Sequence, residues 1–417
     1  MIIQRDHYLK QLIDAQGNGL IKIVTGIRRC GKSFLLSKLF RDYLENEGVA
    51  RDHIIHIPLD DRKNAPLRDP DALLDHLDSL TTGNAKYYIL LDEIQLVEDF
   101  VGVLNSLLHN ERLDVYVTGS NSKFLSKDIA TEFRGRGQEI HMFPLSFAEY
   151  YSATGGDKSD AYREYYTFGG MPQILSINGT QAKREYLSQL DTTVYLRDIL
   201  ERNNIRNSEE FEELLKIIAS SIGAPCNPTK LSNTFKSLKN ITIYSQTIAN
   251  YLSYAQDAFL VEKALRYNIK GKKYINTLAK YYFSDMGLRN AFTDFRQIEE
   301  THLMENVIYN ELRMRGFQVD AGSVEAYIRD KNGTAKRVQY EIDFVANQGD
   351  IRYYIQSALD IPDDAKMAQE TESFNRIDDS FKKVLIVGRN IMPYRNAKGY
   401  LIIGIYDFLL HKDSLAI

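Results

Sequence analysis

The 417-residue chain has few cysteines, no long apolar run and no excess of positive charge. Its two cysteines, Cys30 and Cys226, lie far apart in sequence, so they indicate neither a disulfide framework nor a cysteine metal site. This cysteine usage is typical of a reducing compartment, and we expect a cytoplasmic protein. Residues 1–10 lack the apolar core of a signal peptide and no stretch approaches 18 apolar residues, so we expect no membrane contact.

The charge balance also limits the partners of the chain. The net charge is −4, so any contact with nucleic acid must come from a local basic patch and not from an overall basic surface. With 44% hydrophobic and 26% charged residues, the chain is expected to be globular. Its length is sufficient for about two to four domains.

One eight-residue segment carries the most specific chemical signal. It fits the phosphate-binding loop pattern G-x-x-x-x-G-K-S/T. Its residues are Gly26, Ile27, Arg28, Arg29, Cys30, Gly31, Lys32 and Ser33. A β-branched run precedes the segment and an apolar stripe with helical spacing follows it, which is the context that the motif needs. Backbone N–H groups and the helix N-terminus would bind phosphate, Lys32 would reach the β- and γ-phosphates, and Ser33 would bind Mg²⁺.

Strand and helix patterns alternate in the first part of the chain. Strands are predicted at 21–25, 54–57, 87–91, 115–118 and 140–143, and a helix capped by Asp69 at 70–80. Such alternation predicts an α/β fold with a parallel sheet. From about residue 146 the patterns become helical. A hairpin is predicted around the turn at 270–273, then a helix at 301–315 and further strands at 317–319, 337–345, 352–356 and 383–387.

Two acids follow the predicted third strand, about 60 residues after the phosphate-binding lysine. Asp92 would hold Mg²⁺, and Glu93 would polarise the water that attacks the γ-phosphate. After the fourth strand, Asn121 or its rival Ser120 could touch the γ-phosphate or that water, although Gly-Ser-Asn is also ordinary turn chemistry.

An arginine-containing segment precedes the predicted fifth strand. Arg136, or less favourably Arg134, could stabilise charge on the γ-phosphate, and a neighbouring subunit could supply it. The alternative is a solvated basic loop.

These elements, in this order, resemble the AAA+ branch of P-loop ATPases, and specifically a prokaryotic family in which an AAA domain is fused to a C-terminal domain of unknown function. The likeness includes the segment 143–147, which follows Arg136, and runs through most of the chain. It implies ATP with Mg²⁺ as the cofactor, an arginine finger at Arg136 and a position near the sensor for Asn121.

The resemblance further implies a winged helix in the middle of the chain, with a recognition helix at about 245–255 and the hairpin as its wing. The hairpin is basic, because residues 261–280 hold six basic residues and one acid, Glu262. The candidate DNA contacts are Lys263, Arg266, Lys270, Lys272 and Lys273, with Lys280 also counted in the patch. Phosphate contacts there would bind DNA without sequence specificity. A solvated hairpin is the alternative.

The C-terminal part resembles the PD-(D/E)xK nuclease fold. Its matching positions are Glu305, Asp343 and Gln356, and Ala358 occupies the place of the lysine that would position the attacking water. Lys366 could substitute from the next helix, but the spacing does not require it. We therefore expect a degenerate nuclease-like domain.

Four domains are predicted: a P-loop ATPase domain at 1–147, a helical lid or connector at 148–205, a winged-helix-like domain at 206–292 and a nuclease-like domain at 293–417. The favoured function is Mg²⁺-dependent ATP hydrolysis by an oligomer, with a ring as one arrangement, that binds DNA. The alternatives are an ATP-regulated DNA nuclease and a nucleotide switch that recruits another protein.

Overall fold

The computed structural model describes residues 2–120, 135–329 and 335–416. The candidates Asn121 and Arg134 lie outside these residues. The chain forms two compact units, residues 1–144 with 257–259 and residues 145–256 with 260–417. Among the described residues, no helix has the length and apolar character needed to cross a membrane.

The first unit is built on a five-stranded sheet in the order β2-β3-β4-β1-β5, and every strand pairing in it is parallel. The strands are β1 (Ile21–Thr25), β2 (Ile54–Pro58), β3 (Tyr87–Asp92), β4 (Leu113–Thr118) and β5 (Gly137–His141). The α-helices are α1 (Asp6–Asp14), α2 (32–46, with a π-helical stretch at Leu35–Phe40), α3 (Pro70–Leu80) and α4 (Phe100–Leu107). Short 3₁₀ turns lie at Arg51–His53, Arg62–Arg68 and Ile94–Leu96. The predicted parallel α/β sheet is confirmed.

Local sequence explains these elements. The Asp69 side chain accepts the backbone N–H of Ala72, at 2.9 Å, and Pro70 occupies the first helical position of α3. All five residues of β1 are buried, as expected for a central parallel strand. One apolar core contains side chains from the four strands β1, β2, β3 and β4 and from the helices α3 and α4. Its members include Ile23, Ile55, Leu73, Leu77, Ile89, Leu104 and Val117.

The second unit begins with helices and ends with a large mixed sheet. Its helices are α5 (Phe147–Thr154), α6 (Lys158–Phe168), α7 (180–202), α8 (Ser208–Ser220), α9 (Pro228–Lys239), α10 (Ser245–Asp257), α11 (Met286–Phe292), α12 (Glu300–Met314), α13 (Asp364–Glu370) and α14 (Ile405–Leu410). Its strands are β6 (Val261–Asn268), β7 (Lys273–Phe283), β8 (Gln318–Arg329), β9 (Ala335–Gln348), β10 (Ile351–Ala358), β11 (Lys382–Val387), β12 (Tyr394–Arg395) and β13 (Leu401–Gly404). The 3₁₀ turns are Pro172–Ser176 and Phe374–Arg376.

The predicted hairpin β6–β7 belongs to this eight-stranded sheet, whose order is β12-β13-β11-β10-β9-β8-β6-β7. A bulge between Leu265 and Arg266 divides the hairpin. Beyond the bulge, residues 266–268 pair in parallel with 321–323 of β8. The domain boundary predicted at 292/293 therefore separates two strands that are hydrogen-bonded to each other. Before the bulge, the hairpin contacts α12, where Asn306 exchanges two hydrogen bonds of 2.8 Å with the backbone of Phe283.

A short backbone pairing links the helical segment to the hairpin. Cys226, between α8 and α9, exchanges two antiparallel hydrogen bonds of 2.9 Å with Ala279 of β7. Along the chain, the order of elements is therefore α8, the single bridge at Cys226, α9, α10 and the hairpin β6–β7.

Candidate functional site

The phosphate-binding loop joins the end of β1 to the start of α2, as the motif predicts. Gly26 has a φ of 138°, and a Cβ atom there would lie 2.1 Å from the backbone oxygen of Met142. Only glycine fits this position, because any side chain would collide with backbone. Gly31, at the N-terminus of α2, has a φ of 106°.

A buried arginine that the sequence analysis did not single out, Arg5, supports the phosphate-binding loop from the protein interior. Arg5 is buried and donates hydrogen bonds to the carbonyl oxygens of Cys30, at 3.2 Å, and Phe143, at 2.7 Å. The Cys30 thiol is buried and donates to the carbonyl oxygen of Met142, at 3.4 Å. Charge-assisted bonds to carbonyls fix the loop backbone from the side of the protein interior.

Lys32 and Ser33 differ in exposure. Lys32 is buried, and its ammonium donates to the carbonyl oxygens of Gly26 and Ile27, both at 2.9 Å. Ser33 is exposed, and its hydroxyl lies near enough to Asp92 to lower the pKa of that carboxyl. The structure thus brings together the hydroxyl and the carboxylate that sequence analysis assigned to Mg²⁺.

The sheet order explains how the acids reach the loop. Strand β4 lies between β1 and β3, so Thr118 at its end lies between the loop and the two acids. The Thr118 hydroxyl donates to Oδ1 of Asp92 and accepts the backbone N–H of Glu93, at 2.9 Å. Burial raises the pKa of Asp92 above its ordinary value, while the bonds from Thr118 and Ser33 oppose that rise. Sequence analysis missed Thr118, although its place at a strand end was visible.

Glu93 adopts a strained backbone conformation, with a φ of 55° in the left-handed region. Its carboxylate accepts hydrogen bonds from Ser120, at 3.1 Å, and from the amide of Gln95. Ser120 is buried, which distinguishes it from an ordinary turn serine. Gln95 is a second residue that sequence analysis missed.

Arg136 lies away from these residues of its own chain. Its carbonyl oxygen accepts the N–H of Ile21, at 2.9 Å, so it is level with the beginning of β1, whereas the loop follows the end of that strand. Five residues of strand separate the two levels by roughly 15 Å. The guanidinium is exposed and donates to the Asn105 side chain, at 3.2 Å.

Comparisons with known proteins agree with this geometry. Residues 18–151 match the family described as an AAA domain, and residues 159–299 match a domain of unknown function, DUF8612. An uncharacterized protein of Haemophilus influenzae is 32% identical over 415 residues, which cover 98% of this chain and 99% of that protein. The chain belongs to this family of AAA-domain proteins. The predicted family is confirmed.

More distant matches extend beyond bacteria. The uncharacterized protein MJ1544 of Methanocaldococcus jannaschii is 29% identical over 358 residues, which cover 82% of this chain and 75% of that protein. The crystal structure of Cdc6p from Pyrobaculum aerophilum has a TM-score of 0.30 and 13% identity, covering 74% of this chain and 96% of that one. A structural likeness this distant carries no argument about function.

Outside the AAA domain, the basic hairpin keeps most of its predicted charge at the surface. Lys263, Lys270, Lys272 and Lys273 are exposed, and Arg266 is partly exposed. The inclusion of Lys280 in this patch is wrong, because its side chain is only 4% exposed and pairs with two carboxylates. The basic patch at the surface of the hairpin therefore has five basic residues instead of six.

The nuclease-like candidates do lie near one another. Asp343 on β9 accepts the amide of Gln356 on β10, at 3.3 Å, and the N–H and hydroxyl of Ser357, at 2.8 and 2.7 Å. Burial and then the charge of Glu305 on α12 raise the pKa of Asp343 to about 7, while Lys280 opposes the rise. Lys366, the possible replacement lysine, pairs instead with Glu370 of its own helix, at 2.5 Å. Within the described residues, no group of three or more histidines, cysteines and acids could hold a metal ion.

Proposed function

We propose that this AAA-domain protein hydrolyses ATP with Mg²⁺, assembles into an oligomer to do so, and acts on DNA. The observation that carries the ATPase proposal is the hydrogen-bonded unit of Asp92, Thr118 and Glu93 beside the phosphate-binding loop. A loop alone supports nucleotide binding. Two carboxylates held at fixed positions beside it support hydrolysis, because phosphoryl transfer depends on positioning and on charge stabilisation.

Each side chain has its own role in this proposal. Lys32 leaves its loop carbonyls to bind the β- and γ-phosphates, and Ser33 with Asp92 holds the magnesium ion. Glu93 orients the attacking water when Gln95 and Ser120 release or share its carboxylate. Asn121 stays a prediction for the residue that contacts the γ-phosphate.

The first experiment measures nucleotide binding and steady-state hydrolysis separately. We expect Lys32→Ala to lose ATP binding, and Glu93→Gln to bind ATP while its hydrolysis rate falls at least 100-fold. Ser106→Ala, an exposed change on α4, is the control. A Glu93→Gln variant with the wild-type rate would contradict the assignment of the base.

The location of Arg136 supports the proposed assembly. This guanidinium is level with the opposite end of the sheet from its own loop, so it is proposed to reach the nucleotide of a neighbouring subunit. Arg136→Ala should then keep ATP binding and lose hydrolysis. Arg51→Ala, at an arginine whose side chain is 81% exposed, is the matched control.

A mixing experiment separates this arrangement from a self-supplied arginine. Lys32→Ala has no functional nucleotide site but retains Arg136, and Arg136→Ala has the reverse defect. Mixed in equal amounts under assembly conditions, the two should recover part of the wild-type rate. Persistent inactivity of a mixture shown by size analysis to co-assemble would overturn the proposed role of a neighbouring arginine.

DNA binding is supported by two neighbouring chain segments of the second unit. The hairpin carries the exposed lysines 263, 270, 272 and 273, which can neutralise phosphates. The exposed face of α10 carries Ser245, Gln246, Asn250 and Ser253, whose amides and hydroxyls can bind base edges or backbone. The helix–bridge–helix–helix–hairpin order supports the predicted winged-helix arrangement for this region.

The DNA test uses two charge reversals of equal size. Changing Lys270, Lys272 and Lys273 to glutamate should abolish DNA binding at low salt. The same change at the exposed Lys10, Lys38 and Lys63 of the first unit should reduce it far less. Wild-type affinity should fall steeply with salt. Equal losses in the two triple variants would contradict a specific role of the hairpin.

A further inference from the structure

A buried lysine lies among the acids of the nuclease-like region. Lys280 on β7 donates to Glu305 of α12, at 3.0 Å, and to Glu341 of β9, at 2.5 Å. Its side chain is 4% exposed and that of Glu305 is 11% exposed. Lys280 lies before the bulge, in the part of the hairpin where β6 does not pair with β8 and β7 contacts α12.

The acids around this ammonium have other donors that fix their orientation. Oε1 of Glu305 also accepts the Tyr282 hydroxyl, at 2.7 Å. A Cβ atom at Gly223 would lie 2.8 Å from the same oxygen, so backbone packs closely against this carboxylate. Asp343 is held separately by Gln356 and Ser357. The network is therefore fully built from the chain's own donors.

The charges require a cation at this position. Glu305 is buried and Asp343 is partly buried, and two neighbouring carboxylates without a counter-charge in such a place are disfavoured. In a metal-dependent nuclease a divalent ion supplies that charge. Here the ammonium of Lys280 is within hydrogen-bond distance of oxygens from two carboxylates, which is the place a cation would take.

We propose that Lys280 is a built-in replacement for the divalent metal ion, so that this region is a metal-independent nuclease-like fold and its carboxylates join the hairpin to α12. An ion would have to displace an ammonium that already pairs with both Glu305 and Glu341. It follows that removing the lysine charge leaves the carboxylates of Glu305 and Glu341 open to a divalent cation, which would complete its ligand shell with water.

The experiment measures Mn²⁺ binding to the full chain without nucleotide, in an Asp92→Asn background that removes the acid of the nucleotide site. The Lys280→Ala variant should gain one saturable Mn²⁺ site per chain, and the melting temperature should rise on adding Mn²⁺. Adding Glu305→Gln to that variant should remove the site again. The parent protein should show neither effect.

A second variant protects the test against misfolding. Lys280→Gln retains an amide donor toward Glu305 without the charge and should also gain the ion, whereas Lys280→Arg keeps a cation and should not. Failure of both folded neutral variants to bind Mn²⁺ would overturn the proposal. So would Mn²⁺ binding or Mn²⁺-dependent DNA cleavage by the parent protein that disappears in Asp343→Asn.

Discussion

The replacement of Thr118 by valine is the most informative single change at the nucleotide site. The side chain is fully buried, and valine has nearly the same shape, so the change removes a hydroxyl and little volume. That hydroxyl makes one bond to a carboxylate, Asp92, and accepts one from the backbone N–H of Glu93. Both acids of the site therefore lose the same partner at once.

The size of the effect follows from these two bonds. A hydrogen bond to a charged group contributes about 1.5–3 kcal/mol, and a backbone N–H left without a partner costs about 1–3 kcal/mol. The left-handed backbone of Glu93 stores roughly 1–3 kcal/mol of strain that this N–H bond helps to hold. If about 3 kcal/mol of that is lost from the transition state, the turnover number falls by about two orders of magnitude.

The pH dependence gives an independent readout. The bond from Thr118 lowers the pKa of Asp92 against the raising effect of burial, so its loss raises that pKa further. In its proposed role Asp92 holds magnesium as a carboxylate, so the acid side of the pH–rate profile should move to higher pH. This shift does not follow from a general loss of stability.

The assay compares turnover number, KM for ATP, the pH–rate profile and melting temperature for three variants. Thr118→Ser retains the hydroxyl and should keep most activity. Thr81→Val, at another buried threonine of the same unit whose hydroxyl donates to a helix carbonyl at 3.0 Å, controls for the loss of a buried hydroxyl. A Thr118→Val variant with an unchanged rate and pH profile would refute the reasoning.

Three further changes test the packing around the sites. Gly26→Ala places a Cβ atom 2.1 Å from a backbone oxygen and should abolish ATP binding in calorimetry. Gly19→Ala, whose Cβ atom would meet nothing within 4 Å, is the control and should still bind ATP. Equal affinities of the two variants would contradict the close approach at Gly26. Burial raises the pKa of Asp285 from 3.8 to about 6, so its stabilising contribution is lost as the pH rises through 6 and approaches its full size only below pH 3.8. Denaturant titrations should show the wild type gaining roughly 2.5 kcal/mol over Asp285→Asn between pH 8 and 4, and parallel curves would exclude the shift. Lys22→Met should cost about 3 kcal/mol, because Asp114 loses its buried counter-charge and keeps only the more exposed Lys86, at 3.4 Å. Adding Asp114→Asn should restore most of that loss. A double variant as unstable as the single one would show that the pair is not the cause.

Short-range patterns predicted the first unit well. Strand β1 and helix α3 occupy their predicted residues, because a phosphate-loop motif and a Pro-opened helix are encoded in adjacent positions. The roles of Thr118 and Gln95 could not be read in the same way. They depend on β4 lying between β1 and β3, which is a property of the sheet order and not of any local segment.

Lys280 shows where sequence reasoning fails most clearly. In sequence it is one of several lysines in a basic stretch, and composition assigns all of them to solvent. Its burial depends on acids 25 and 61 residues later in the chain, Glu305 and Glu341, and on a bulge that turns part of the hairpin toward α12. The sequence predicts a strand only at 317–319, whereas β8 extends from Gln318 to Arg329. Polar and apolar side chains are mixed after residue 319, and local patterns of this kind are typical of loops.

The pairing of β6 with β8 has a consequence for biosynthesis. About fifty residues separate the end of β6 at Asn268 from the start of β8 at Gln318. At roughly 5–20 residues per second, the ribosome takes about 3–10 s to deliver the partner strand. During that interval the nascent hairpin presents an open strand edge, which invites pairing with other chains. Lysines near an exposed strand edge oppose such pairing, so the lysines of the hairpin would also protect the nascent chain from aggregation.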